Sequence, residues 1–193
     1  MNHRELCCMS AQGYDSKTGS VNDVEFMVKY EPEHTIVVFR GTEFSGFFSK
    51  LGFLDVIRDI RIMPWKDKRV GWAHAGFLKG ARGVVDSPLR DYICPSTPVI
   101  LTGHSMGAGI SLLAALLLHS EGYEIKEWVG FGCPRPTIGR EGLPFPATSY
   151  RNHGDPVTQA PRSWMFGYSH PIKLTHIGQI WGHSIKLYKD ALL

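Results

Sequence analysis

Leu101 to Ser111 read LTGHSMGAGIS, and the role of the serine at the centre decides how the whole chain is read. Gly103-His104-Ser105-Met106-Gly107 has the form G-x-S-x-G, a pattern short enough to arise in any glycine-rich turn, so its neighbours carry the information. Upstream, PVILT (98–102) is an apolar, β-branched run of strand type. Downstream, GAGISLLAALLL (107–118) is dominated by alanine and leucine and predicts a helix over 106–120. A strand that turns at once into a helix forces the intervening serine into a strained backbone conformation. Such a turn is tolerated only if the residues two before and two after it lack side chains that would collide. Gly103 and Gly107 meet that requirement, and the helix aims its first N–H groups and positive dipole end at any oxyanion formed beside Ser105.

Outward from this turn the chain alternates strand and helix. VEFMVKY (24–30), TIVVFRG (35–41), PVILTG (98–103), EWVGFG (127–132) and TSYRN (148–152) read as strands, with helical segments at 54–62, 76–93 and 106–120. Continuous apolar runs such as TIVVF and PVIL fit strands covered on both faces, which predicts an α/β fold with a mostly parallel central sheet flanked by helices. The first two runs, joined by EPEH, predict an antiparallel hairpin. At 193 residues the chain fits one domain, 1–193.

Composition excludes several classes of protein. A formal net charge of +3 with scattered basic residues gives no nucleic-acid footprint. The longest apolar stretch, Ile110–Leu118, is about half of the ~20 residues a membrane span needs. MNHRELCCMS has no secretory-signal layout, so the expectation is a cytoplasmic protein, with virion association or non-classical release as alternatives. Cys7, Cys8, Cys94 and Cys133 lack metal or disulfide spacing and are expected as reduced thiols. No two of the nine histidines are spaced H-x-x-x-H, so no metal and no cofactor are expected.

A nucleophilic serine needs a base, and the base needs an orienting carboxylate. In the order serine, acid, histidine, the only aspartate between Ser105 and the C-terminal histidines is Asp155, in YRNHGDPVTQAP after a strand. Glu121, Glu124 and Glu127 lie about 24 Å or more from the start of the helix, leaving Glu141 as the rival. Among histidines, His104 sits inside the turn and should point away from the serine. His119 is about 21 Å up the helix, and His153 is too close in sequence to Asp155 to pair well. Of His170, His176 and His183, the last is favoured, in a glycine-preceded loop that opens a terminal helix, with His170 second.

IVVFRGT (36–42), AHAGFL (73–78), LTGHSMGAGIS (101–111), and FGCPRP followed by YRNHGDPV (131–157) together resemble the lipase class 3 family. This is the α/β-hydrolase group that includes fungal triacylglycerol lipases and feruloyl esterases. The resemblance implies Ser105 as nucleophile, Asp155 as acid and His183 as base, with the backbone N–H groups of Thr42 and Met106 binding the oxyanion. His74 is implied as structural support. The elbow departs from many relatives in having Ala108 where they carry a second glycine. After Thr42 the family has a lid helix; here the segment holds Phe44, Phe47, Phe48, Leu51, Phe53 and Leu54, which form either a lipid-contacting patch or lid, or packing beneath a loop. Trp164, Met165, Phe166 and Tyr168 are expected to wall an acyl pocket. The implied activity is hydrolysis of acylglycerols or similar lipid esters, with a transient lipid-interface contact and no membrane span. Short-chain or polysaccharide-linked esters, or phospholipids, are the alternative substrates. A non-catalytic lipid-binding or virion-associated module is the alternative of a different class.

Overall fold

The computed structural model describes residues 2–12, 18–21, 23–40 and 63–192. Thr42, Phe44, Phe47, Phe48 and the helix expected at 54–62 lie outside the described residues. Strands β1 (Gly19–Val21), β2 (Val24–Glu31), β3 (His34–Phe39), β6 (Val99–His104), β7 (Ile125–Phe131), β9 (Ala147–Asn152) and β11 (Leu174–Ile177) form one sheet in the order β1-β2-β3-β6-β7-β9-β11. The pair β2–β3 is antiparallel, as expected for the EPEH hairpin, and β1–β2, a pair the sequence did not signal, is antiparallel too, whereas β3, β6, β7, β9 and β11 all run parallel.

Every residue of β3 and of β6 is buried because both faces of the sheet are covered. Ile36, Val38, Ile100 and Val129 face helix α1 (His3–Gln12), where Leu6, Cys7 and Met9 meet them. Val37, Phe39 and Leu101 face the opposite side, against helices α2 (Ala75–Val85) and α3 (Met106–Ser120). Helix α3 is buried from Gly107 to Leu118, so its all-round apolar sequence reflects enclosure and not a membrane span. The buried Trp128 indole donates to Ser111 Oγ at 2.9 Å, pinning α3 to β7. No helix among the described residues is long and apolar enough to cross a membrane.

A second sheet, in the order β10-β8-β5-β4, joins Tyr168–Ser169, Thr137–Ile138, Gly71–His74 and Pro64–Asp67, all antiparallel. Its strands are two to four residues long, too short to register as periodic runs in the sequence. The single helix expected over 76–93 is broken: α2 stops at Val85, and Pro88–Asp91 is a separate 3-10 turn. The cause is Pro88, which disfavours helix at the residue before it. Helix α4 (Ile185–Ala191) closes the chain on the α1 side, with Tyr188 buried.

Candidate active site

The elbow has the geometry its glycines predict. Ser105 stands between β6 and α3 at φ 59° and ψ −128°, one of the described non-glycine residues with positive φ. A Cβ on Gly103 would lie 2.6 Å from the carbonyl carbon of Gly107, and one on Gly107 would lie 2.4 Å from the carbonyl oxygen of Phe39. Both clashes are with backbone, so neither position accepts a side chain without moving β3, β6 or α3. Ser105 N–H donates to the Phe131 carbonyl at 2.9 Å, tying the turn to the end of β7. Ser105 is 2% exposed, and its Oγ has no hydrogen-bond partner among the described residues. Met106 is the first residue of α3, where backbone donors point beyond the helix end. Ala108 is fully buried.

Asp155 follows β9 in a tight turn and is completely buried. Its Oδ1 accepts from Val157 N–H at 2.8 Å. Its Oδ2 accepts from two side chains, His183 Nδ1 at 2.7 Å and the Tyr188 hydroxyl. A carboxylate with three donors is satisfied where an isolated buried charge would not be. Burial, then the Asp155 charge, pushes the Tyr188 phenol up, so it stays protonated as a donor. His183 precedes α4, whose Ser184 N-cap accepts from Lys186 N–H at 3.4 Å. A Cβ on Gly132, just past β7, would lie 2.8 Å from His183 Cε1. The imidazole therefore lies over the same strand end to which Ser105 is tied. Asn152 straps the loop before His183, its Nδ2 donating to the carbonyls of Ile180 at 2.8 Å and Gly182 at 2.9 Å.

Several of the rejected residues are engaged elsewhere. Glu121 pairs with Arg69 and Arg90 at the far end of α3, each at 2.7 Å, and Glu127 pairs with His3 at 2.8 Å. Glu141 is exposed. His170 Nε2 donates to the Thr158 carbonyl at 2.7 Å, and burial pushes its imidazole down to about 4. His119 packs against Phe145. His74 is fully buried as N-cap of α2, its Nδ1 accepting from Phe77 N–H at 3.4 Å and its ring stacked on Phe77 at 4.1 Å. Burial pushes its imidazole down to about 4. All four cysteines are free thiols.

Two side chains at this site were not singled out from sequence. Tyr188 holds Asp155, and His104, expected to point away, places its Nε2 2.8 Å from the His183 carbonyl. No sequence pattern marks Tyr188, whereas His104 lies in the elbow motif, which assigns it no role. Trp164 and Phe166, expected as pocket walls, are 77% and 52% exposed, and Ile180 and Trp181 near His183 are each 68% exposed. A groove of about 630 Å³ lined by Asn2, Arg4, Lys29, Glu31 and His34 lies at the opposite end of β3 and contains none of the site residues.

Residues 36–163 match the lipase (class 3) family, and the chain belongs to that family. Secreted mono- and diacylglycerol lipase 3 of Gibberella zeae is 34% identical over 110 residues, covering 52% of this chain and 34% of that protein. The chain thus spans about a third of this curated relative, and because that relative is secreted by name, the cytoplasmic expectation finds no support in it. Among solved structures, the lipase of Rhizopus microsporus var. chinensis matches with a TM-score of 0.69 at 23% identity, over 90% of this chain and 73% of that one. The Rhizomucor miehei lipase propeptide complex matches with a TM-score of 0.65 at 22% identity, over 89% and 66%. These likenesses establish the α/β-hydrolase fold.

Proposed function

We propose that this protein is a serine carboxylic-ester hydrolase that cleaves acylglycerols or similar lipid esters, with Ser105 as nucleophile, His183 as base and Asp155 as the acid that orients it. The observation that carries this reading is the 2.7 Å contact of His183 Nδ1 with the buried Asp155 carboxylate, beside the strand end that holds the Ser105 elbow. With Nδ1–H committed to Asp155, the Nε2 lone pair is the base. It takes the Ser105 Oγ proton as Oγ attacks the ester carbonyl. The tetrahedral oxyanion then lies at the start of α3, where Met106 N–H donates to it. Thr42 N–H, outside the described residues, is the second donor implied by the family resemblance. Collapse breaks the carbonyl–alkoxide bond, and His183 returns the proton to the leaving alcohol. Water, deprotonated by His183, then hydrolyses the acyl-enzyme and releases the carboxylic acid.

Membership of the lipase class 3 family and the mono- and diacylglycerol lipase named in Gibberella zeae support a lipid ester as substrate. So does the exposure of Trp164, Phe166, Ile180 and Trp181, apolar side chains of the kind that meet lipid and not water. The test is hydrolysis of p-nitrophenyl butyrate and emulsified p-nitrophenyl palmitate, with Ser105→Ala as control. Wild-type turnover that falls on the order of 10⁴-fold or more in the variant supports the assignment. Equal rates for the two proteins refute it.

A further inference from the structure

His183 lies in the loop between β11 and α4, and loops do not by themselves hold a side chain to the tolerance catalysis demands. Asp155 fixes one atom of the imidazole, Nδ1. The main chain and the face of the ring need their own supports, and His104 contacts both. Its Nε2 lies 2.8 Å from the His183 carbonyl oxygen, and its ring stacks on the His183 ring with centroids 4.6 Å apart and planes 28° apart. A carbonyl only accepts hydrogen bonds, so Nε2 of His104 is the donor and its tautomer is set. His104 is 5% exposed and sits edge-on to Tyr188 at 5.8 Å, the residue whose hydroxyl donates to the same Asp155 oxygen as His183.

We infer that His104 is a positioning residue for His183, bracing the backbone and ring face of the base itself from the residue adjacent to the nucleophile, where Asn152 holds only the loop before it. This rests on reading Ser105 and His183 as nucleophile and base. Consecutive Cα atoms are about 3.8 Å apart, so the brace and the nucleophile share one peptide unit. A shift of the end of β6 therefore moves the brace and the nucleophile together. Burial and the neighbouring His183 hold the His104 imidazole well below its ordinary range, so a neutral ring lies under His183 when that residue takes up the serine proton. A second positive charge there would oppose the transfer.

The test compares His104→Leu, which removes donor and ring, His104→Phe, which keeps a ring without the donor, and His104→Gln, whose amide nitrogen reaches where Nε2 sits. Expected is a fall in kcat on the order of 10²-fold for the leucine and phenylalanine variants, with KM unchanged and most of the rate recovered by glutamine. Thermal unfolding is recorded alongside. If the apolar variants do not fold, His104→Asn takes their place, because its amide sits at the Nδ1 position and falls short of the carbonyl. Proton NMR supplies a readout independent of turnover. The downfield His183 Nδ1–H signal from the bond to Asp155 should persist in wild type and in the glutamine variant and broaden or vanish where the brace is lost. Variants without the donor that keep wild-type kcat and an intact signal overturn the inference, as does a glutamine variant as impaired as leucine at equal stability. A wild type that turns over no ester refutes the proposed function instead, and the NMR comparison still decides the brace.

Discussion

Gly107→Ala tests the elbow with the smallest change chemistry allows. The added Cβ would stand 2.4 Å from the Phe39 carbonyl oxygen and 2.8 Å from both the carbonyl carbon and oxygen of Arg40, where ordinary contact begins near 3.4 Å. The shortfall is about 1 Å against backbone, which no rotamer change relieves. Strand β3 is paired on both sides, by β2 and β6, so the yielding element is the N-terminal turn of α3. Overpacking of this kind costs about 1–3 kcal/mol, and the better helix propensity of alanine returns about 0.5–1 kcal/mol. A net loss of about 1–2 kcal/mol lowers Tm by roughly 2–8 °C for a protein of this size. The same displacement moves Ser105 and the Met106 N–H by a good fraction of an ångström, so kcat should fall on the order of 10²-fold. The assay is thermal unfolding followed by circular dichroism, together with hydrolysis of p-nitrophenyl butyrate. Gly109→Ala is the control. Its Cβ would lie 3.0 Å from the Phe77 ring, a side chain able to give way, so both effects should be much smaller. A Gly107→Ala protein with wild-type Tm and kcat would refute the steric argument for the elbow.

Asp155→Asn should lower kcat on the order of 10⁴-fold with the fold retained, because an amide donating to Nδ1 selects the wrong tautomer of His183; a loss below tenfold, measured on the same ester, would remove Asp155 from the mechanism. Tyr188→Phe deletes one donor to a buried carboxylate and should cost about 1.5–3 kcal/mol in urea unfolding, with a smaller rate loss than Asp155→Asn. His74 is neutral in the folded protein down to about 4, against an ordinary 6.5. The unfolded chain therefore binds that proton first, and about 3 kcal/mol of stability drains away as pH falls from 6.5 to 4, levelling off below. His74→Asn keeps an N-cap oxygen and should make the fall in unfolding free energy across that window shallower by that amount, leaving the share of the buried His170 and His104; an unaltered pH dependence counts against the assignment. Trp164→Ala combined with Ile180→Ser should slow hydrolysis of emulsified palmitate more steeply than that of dissolved butyrate, and equal slowing would argue against a lipid-facing surface there.

The parts legible in sequence were those whose cause is local. The helix predicted over 106–120 is α3 at those bounds, because its alanines and leucines are buried on every side. Strands β3, β6 and β7 announced themselves as apolar runs for the same reason, whereas β1 and β11, at the sheet's edges and only partly buried, were not read from sequence. Where burial is partial, the signal weakened: β4, β5, β8 and β10 are too short to show a period, and α1 carries only one buried stripe. The aromatic segment after Thr42 and Thr42 itself lie outside the described residues.

By itself the sequence marked the elbow, and the clash that demands glycine at 103 is local, with Gly107 and Ala108 in the same turn, whereas glycine at 107 is demanded by the Phe39 and Arg40 backbone at the end of β3, a contact only the tertiary structure makes. It also favoured Asp155 over Glu141 as candidate acid and His183 over His170 as candidate base. Only the tertiary structure decided which atoms meet. Asp155 and His183 are 28 residues apart, Asp155 and Tyr188 are 33, and His104 and His183 are 79. Contacts at those separations exist because parallel strands β6, β7 and β9 bring their C-terminal ends into one row and α4 folds back across it. No local propensity encodes that meeting; it follows from the order in which the strands are laid into the sheet.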